Sequence, residues 1–183
     1  MSSIFFHPLV VHFPIALLTV YSVMELVRWR HLTALPFWHG TKAVLVILGS
    51  LATFVALESG EEAAEAFSGG AALRRVIVLH STWANVTAWI YGIIAVLYLL
   101  TLLQEHGYLA AFLERLRGRY QTASEILRKV AAFATRVSRG LWMVPLSLAG
   151  LIAVTITGAL GGSMVYGPTA DPVIAFVYNL FGL

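Results

Sequence analysis

Cysteine is absent from this 183-residue chain, and charged residues are scarce. Without cysteine, the chain has no disulfide, no iron–sulfur cluster bound by its own thiolates and no covalent haem attachment through a CxxCH motif. Only 11% of the residues are charged, whereas 59% are hydrophobic and the mean hydropathy is +0.82. This balance lies far from that of soluble domains and predicts a membrane protein.

Four apolar stretches are long enough to cross a hydrocarbon core of roughly 30 Å. They cover residues 4–29, 41–58, 72–103 and 142–161. The first stretch follows no basic segment and has no small-residue cleavage site, so we predict a retained helix rather than a signal peptide. The expected fold is all-α: one polytopic domain over residues 1–183, with four transmembrane helices in a bundle.

Basic residues are divided unevenly among the three connections. The first connection carries three basic residues and no acid, and the third, Gln104 to Leu141, carries seven basic residues against three acids. The second, Glu58 to Arg75, carries four glutamates, with Arg74 and Arg75 at its far end. The positive-inside rule therefore puts the first and third connections in the cytoplasm. We predict a multi-pass protein of a bacterial inner membrane with both termini in the periplasm.

Two further segments are too polar or too short to span. In residues 108–139 apolar residues recur with helical period while arginines occupy the other face. This pattern predicts a cytoplasmic amphipathic helix, which Gly118 could interrupt, bound to anionic lipid or to a partner protein. Nucleic acid is not an expected partner, because nothing else in the chain forms a basic groove. Residues 171–183 are expected to form a short interfacial helix on the outer surface or folded back over the bundle.

The run from Phe5 to Leu18 holds two histidines and two prolines. An ionisable ring in an apolar helix is costly to bury unless it has a partner or a ligand. We expect Pro8 in the first turn of the helix, with His7 as the flanking cap residue. Pro14 removes one backbone hydrogen bond and should loosen the helix beside His12.

Histidines on the first and third transmembrane helices match in depth. His12 is five residues inside His7, and His80 is five residues inside Arg75, so both sit roughly 7–8 Å below their helix starts. Two imidazoles at one depth on two helices are the arrangement that ligates a haem iron from opposite faces. His12 and His80 are therefore the predicted axial ligands of haem b, and His7 should lie at the mouth of the site, facing a propionate.

Small and polar residues complete this candidate site. Gly49 and Gly60 belong to a stripe of small residues that could leave space for a flat cofactor, and Asn85 could accept a ring N–H. Tight helix packing explains the same stripe, and histidines in membrane helices often serve packing alone. The acidic second connection lies on the same side as the three histidines. A His/carboxylate site for zinc, copper or non-haem iron, in a metal-binding or transport protein, therefore stays open, as does a scaffold subunit.

Four motifs resemble those of the bacterial membrane family known as domain of unknown function 2231. In chain order they are His7-Pro8-Leu9-Val10-Val11-His12-Phe13-Pro14-Ile15-Ala16-Leu17, Ser59-Gly60-Glu61-Glu62-Ala63-Ala64-Glu65, His80 with Ala84-Asn85, and Gly161-Gly162-Ser163-Met164-Val165-Tyr166. The chain departs from the family pattern at Gly167-Pro168-Thr169 and in its long insertion between helices 3 and 4.

Relatives in this family that are joined to Rieske iron–sulfur domains imply membrane electron transfer, which favours haem over a structural metal. Together with the histidine pattern, the resemblance predicts a membrane b-type cytochrome-like protein, with a haem held between helices 1 and 3 near the periplasmic face, rather than a stand-alone enzyme. It would exchange electrons with quinol, a redox partner protein or a larger membrane complex.

Overall fold

The computed structural model describes residues 3–65, 70–117 and 120–183, which form nine α-helices. In chain order these are α1 Ser3–Val10, α2 His12–Leu26, α3 Arg30–Thr33, α4 Trp38–Glu65, α5 Ala71–Glu105, α6 Tyr108–Arg117, α7 Gln121–Arg139, α8 Met143–Tyr166 and α9 Pro172–Leu180.

Four helical segments are long and apolar enough to cross a membrane: His7–Leu26, Trp38–Glu65, Ala71–Glu105 and Met143–Tyr166. Helices α2 and α5 each pack against both α4 and α8, which closes a four-helix bundle. The outward faces of these helices carry large apolar side chains, for example Trp89 and Phe54, as expected for contact with lipid. The predicted all-α four-helix membrane fold is confirmed.

The first membrane segment consists of two helices that meet at a turn at Val11. Pro14 has no N–H to donate to the carbonyl of Val10, so the backbone ladder is interrupted where the sequence predicted. Pro8 behaves differently from the prediction. It lies inside α1, which begins at Ser3, so neither Pro8 nor His7 opens the helix. Packing of α1 against α4 stabilises a helix that carries this proline.

Helix α4 continues to Glu65, further than the apolar run that predicted it. By its sequence alone, the run from Gly60 to Phe67 predicts a short surface helix after the membrane span. The segment Gly60–Glu65 is instead the last part of the second membrane helix, so that prediction is wrong for these residues. Alanine and glutamate are good helix formers, so nothing in this segment ends the helix. The rest of that predicted helix, residues 66 and 67, lies outside the described residues.

Helix α7 folds back along the end of α5. The hydroxyls of Thr101 and Ser138 are 2.9 Å apart, and Arg139 forms a 2.6 Å ion pair with Glu105. A second face of α7 stays exposed and apolar, formed by Ile126, Val130 and Phe133. Gly118, the predicted break, lies outside the described residues.

Helix α9 packs against α8, with Ile174 and Val177 buried. The carboxylate of Asp171 accepts hydrogen bonds from the backbone N–H groups of Val173 and Ile174, a side-chain N-cap. Arg75, near the start of α5, donates to the carbonyl of Phe181. The C-terminal segment is thereby held at the end of the bundle where α5 begins.

Candidate functional site

Two histidines from different helices meet at one end of the bundle. His7 lies on α1 and His80 on α5, and their ring centroids are 6.4 Å apart with the ring planes at 89°. Both rings are partly buried. We call these two residues the histidine pair, and this end of the bundle the histidine end.

Hydrogen bonds assign the proton position in both rings. Nδ1 of His80 is 2.9 Å from the carbonyl oxygen of Thr157, which can only accept, so this Nδ1 carries the proton. Nδ1 of His7 is 3.0 Å from the hydroxyl of Ser59. The Ser59 hydroxyl donates to the carbonyl of Ala56, so it accepts from His7. In the neutral rings, Nε2 is therefore the atom with the free lone pair.

Two glycines form the surfaces against which the rings rest. A Cβ atom at Gly60 would lie 2.9 Å from Cε1 of His7, and one at Gly161 would lie 3.1 Å from Cε1 of His80. Any larger residue would push the ring away. Gly60 was predicted as part of the site for the space it leaves, whereas Gly161 stood out only as a position in one of the four family-like motifs.

The separation of the two rings, 6.4 Å between centroids, is that of two imidazoles on opposite sides of one metal ion. An imidazole nitrogen lies about 1 Å from its ring centroid, so two such rings bound at roughly 2.0 Å would have centroids roughly 6 Å apart. The second hydrogen bond of a metal-ligating histidine usually goes to a carbonyl or similar acceptor, as at both Nδ1 atoms here. A haem iron with two axial histidines needs only this pair from the protein.

Larger ligand sets are not found in the described part of the chain. Over residues 3–65, 70–117 and 120–183 no group of three or more histidine, cysteine, aspartate or glutamate residues could hold a metal ion. Glu58, Glu61, Glu62 and Glu65 are exposed. The described residues therefore bring together no ligand set of the size typical of zinc, copper or non-haem iron sites.

His12, predicted to pair with His80, lies on an exposed face of the bundle. Its Nδ1 is 2.6 Å from the carbonyl oxygen of Pro8, one turn earlier. The depth argument selected His12 because it placed His7 at the mouth of the helix. Helix α1 begins at Ser3, so His7 lies within the helix rather than at its start. Its ring faces Ser59 on α4 and His80 on α5.

The other two predicted site residues do not contact the histidine pair in this fold. A Cβ at Gly49 would lie 2.6 Å from Leu18, so this glycine allows close packing of α2 on α4. Asn85 is exposed and donates to the carbonyl of Ser81 on its own helix.

A buried ion cluster lies at the end of the bundle opposite to the histidine end, and the sequence analysis missed it. The carboxylate of Glu25 is 1% exposed and accepts from Lys42 at 2.6 Å, from Arg28 at 2.7 Å and from the hydroxyl of Tyr98 at 2.8 Å. Lys42 and Tyr98 share one oxygen, Oε2. The one sign of this cluster in the sequence is that Glu25 is the single acid in the first apolar run. Its partner Lys42 lies on another helix, so the pair is not apparent from local sequence.

Buried tyrosines surround this cluster. Tyr21 lies edge-on to Tyr98 and to Tyr91, with ring centroids 5.8 and 6.2 Å apart, and all three are fully buried. His39 stacks on Tyr98 at 4.9 Å. Its Nε2 is buried and has no hydrogen-bond partner within the described residues.

Comparisons with family models, with curated proteins and with solved structures found no match to this chain. The resemblance to domain of unknown function 2231 stays a prediction that depends on the four motifs. Function must therefore be inferred from the geometry of the chain's own residues.

Proposed function

We propose that this chain is a membrane b-type cytochrome-like electron-transfer protein, in which Nε2 of His7 and Nε2 of His80 would ligate a haem iron. The observation that carries the proposal is the histidine pair, two rings 6.4 Å apart whose Nδ1 atoms are both hydrogen-bonded to a neighbouring helix. His7 replaces His12, the ligand predicted from depth, because His7 is the ring that faces His80.

Each residue of the proposed site has a defined role. Ser59 and Thr157 orient the two imidazoles and keep the proton on Nδ1, so that Nε2 is available as a ligand. Gly60 and Gly161 let the two rings sit close against α4 and α8. A bound haem would supply a one-electron iron couple. Two protein ligands would leave no open coordination position, which favours electron transfer over substrate chemistry at the iron.

The proposed location is a bacterial inner membrane, with both termini and the histidine pair near the periplasmic face. Support for this orientation comes from the basic residues concentrated in the first and third connections. Quinol, a redox partner protein or a larger membrane complex are the proposed electron donors and acceptors. The four motifs that resemble domain of unknown function 2231 also support a role in membrane electron transfer.

The purified wild-type protein provides the first test. Expressed with a haem precursor in the medium, it should show a Soret band, and sharp α and β bands after reduction. His7→Ala and His80→Ala should each lose the low-spin spectrum, because each removes one axial ligand. His12→Ala is the matched control and should keep it. Low-spin haem retained in both His7→Ala and His80→Ala would contradict the assignment.

The same preparation separates the alternatives by elemental analysis. Stoichiometric zinc, copper or iron without haem would replace this proposal with the metal-binding or transport function. Purified protein that carries neither haem nor metal would favour a scaffold subunit, in which the histidines serve packing.

A further inference from the structure

An open cavity of about 320 Å³ runs inward from the histidine end, between α2 and α8 and beside the start of α9. Its walls include Ile15 and Thr19 on α2, Gly158 and Gly162 on α8, and Ile174 on α9. Because α2, α4, α5 and α8 form a closed bundle, the cavity opens outward between two neighbouring helices, towards lipid. We call this cavity the α2–α8 groove.

Close helix packing does not explain the groove. Gly158 and Gly162 form a GxxxG pair, a pattern that usually lets two membrane helices approach closely. A Cβ at Gly162 would lie 2.9 Å from Ile174, so this glycine does allow α9 to pack on α8. A Cβ at Gly158 would have only Ile15 near it, at 4.0 Å, so no helix packs closely there. The missing side chain at Gly158 leaves open space instead.

The groove lies beside the histidine pair, on the next face of α8. The carbonyl of Thr157 and the surface at Gly161 both contact the imidazole of His80. Gly158 and Gly162 each follow one residue later, about 100° further around the helix, and line the groove. One helix, roughly 10–12 Å across with its side chains, therefore separates a ligand in the groove from the His80 ring.

Two polar groups in the groove are able to bind a ligand. Thr19 is partly buried in the wall, and its hydroxyl has no hydrogen bond to any residue that the structure describes. Asp171 uses Oδ1 to accept from both backbone N–H groups of the α9 N-cap, so its Oδ2 is left to accept another hydrogen bond. A hydroxyl without a partner in a membrane bundle costs free energy, which a ligand oxygen would offset.

The charge and size of the groove select among membrane ligands. None of the described residues that line it is lysine or arginine, and its one charged group is the carboxylate of Asp171. A lipid phosphate would be repelled by this carboxylate and would find no cation there to pair with. A neutral headgroup with hydroxyl donors fits better, since an ionised carboxylate only accepts hydrogen bonds. A cavity of roughly 150 Å³ holds a benzene ring, so about 320 Å³ accommodates a substituted six-membered ring.

We propose that the α2–α8 groove binds the headgroup of an isoprenoid quinol, with the tail along the lipid-facing surface. The carboxylate of Asp171 accepts a hydrogen bond from one ring hydroxyl, and the hydroxyl of Thr19 donates to the other ring oxygen. The carbonyl oxygens of the quinone form cannot donate to Asp171, so the groove prefers the reduced form. This choice of ligand rests on the proposed electron transfer, in which quinol is one of the proposed donors, but binding itself does not require haem.

Binding of tritiated decylubiquinol to the full-length protein in nanodiscs tests this inference. The protein is prepared with and without a haem precursor, and decylubiquinol and decylubiquinone are compared under argon. We expect saturable binding, with the quinol bound about tenfold more tightly than the quinone. Asp171→Asn should remove this preference, because an amide donates as well as accepts and still caps α9. Thr19→Val should weaken binding of both forms by about fivefold.

Gly158→Leu fills the groove and should abolish saturable binding. Gly92→Leu is the matched control, since a Cβ at Gly92 would have nothing within 4 Å and this residue lies on α5, outside the groove. It should bind quinol like the wild type. Thr19→Val keeps the shape of the side chain, so it provides the test if Gly158→Leu does not elute as a monodisperse helical protein.

Decylbenzene, with the same tail and a ring without oxygens, separates a quinol site from an apolar lipid groove. Competition by decylbenzene as strong as that by unlabelled quinol would overturn the proposal. So would wild-type quinol binding in folded Gly158→Leu or Thr19→Val. Protein that carries low-spin haem but binds no quinol would overturn this inference and leave the proposed cytochrome function. Quinol binding by protein that takes up no haem would support the groove and count against the cytochrome function alone.

Discussion

At the scale of single residues, the two glycines beside the imidazoles offer a sharp test of the histidine pair. Gly60→Ala and Gly161→Ala would put a Cβ at 2.9 and 3.1 Å from the rings of His7 and His80. Because the glycine backbone belongs to a packed helix, the ring must move. We expect both variants to unfold at lower temperature and to bind haem with an altered spectrum.

Gly92→Ala is the matched control for these two glycines. It lies on α5 inside the same bundle, and a Cβ there would have nothing within 4 Å. Alanine is the better helix former by about 1 kcal/mol, so this variant should be as stable as the wild type or slightly more stable. Identical melting temperatures and spectra in all three variants would show that the rings do not depend on the glycine contacts.

The buried ion cluster supports a second prediction about single residues. Lys42→Met leaves the carboxylate of Glu25 buried with one cation fewer, and removal of one partner from a buried pair costs about 3–5 kcal/mol. The free energy of unfolding in detergent should fall accordingly. Lys129→Met, at an exposed position on α7, is the control and should change little.

The double variant Glu25→Gln with Lys42→Met distinguishes an ion pair from two separate packing roles. With both charges removed, its destabilisation should be smaller than the sum of the two single effects, because coupled residues are not additive. Additive effects would mean that Glu25 and Lys42 stabilise the bundle independently.

How much of this site could be predicted from the sequence differs from residue to residue. His80 and His7 stood out because an ionisable ring in an apolar run costs free energy to bury unless it has a partner or a ligand. The choice between His7 and His12 depended on where α1 begins. Proline normally favours the first turn of a helix, so Pro8 predicted a start near His7, whereas α1 begins at Ser3. Glu25 was visible as the only acid of its run. Its partner Lys42 is brought to it by tertiary packing between α2 and α4, which local pattern does not encode.

At the scale of elements, α7 combines three different faces. One face packs on α5, one exposed face carries Ile126, Val130 and Phe133, and a third exposed face carries basic residues, among them Arg128 and Arg136. We predict that the exposed apolar face contacts lipid at the membrane surface. The absence of cysteine makes the test simple, since one introduced cysteine gives one labelling site.

A fluorophore on Phe133→Cys should be quenched by nitroxide-labelled lipids in anionic nanodiscs. The control is Ala132→Cys, exposed and about 100° away around the helix, which should be quenched by aqueous iodide instead. Neutral lipid should increase iodide access at position 133, because each basic residue near an anionic surface contributes roughly 1 kcal/mol. Equal quenching at the two positions would contradict a lipid-facing role for α7.

Element boundaries show which sequence signals were decisive. Pro14 interrupted the first membrane segment as predicted, because the loss of an N–H is a local effect. Helix α4 ran on to Glu65 because the residues after its apolar run are good helix formers. Hydropathy alone predicted too early an end for this helix. An apolar run marks the part of a helix that can lie in the hydrocarbon core, and the helix itself can continue beyond it.

At the scale of the whole molecule, composition was enough to predict four helices in a membrane, but not their arrangement. Neither hydropathy nor charge indicates that α2 and α5 both contact α4 and α8. That arrangement turns His80, Thr87, Tyr91 and Tyr98 toward the interior of the bundle rather than toward lipid. Their shared interior position follows from the packing of the helices and not from the spacing alone.

Orientation in the membrane is the last property of the whole molecule that needs a test. Four membrane segments bring the chain back to the side from which it started, so the segment starting at His7 and the one ending at Tyr166 have their outer ends together. The contact of Arg75 with Phe181 holds the C-terminus at this same end, beside the histidine pair. Because the basic connections lie at the opposite end, we predict that the C-terminus is periplasmic.

Single-cysteine variants provide the measurement. A membrane-impermeant maleimide should label Leu183→Cys in intact cells with a permeable outer membrane, whereas Thr122→Cys, in the third connection, should react only after the inner membrane is opened. The reverse pattern would put the C-terminus and the histidine pair on the cytoplasmic side. Electron exchange with a periplasmic carrier would then be excluded, since the pair lies at the end of the bundle that holds the C-terminus.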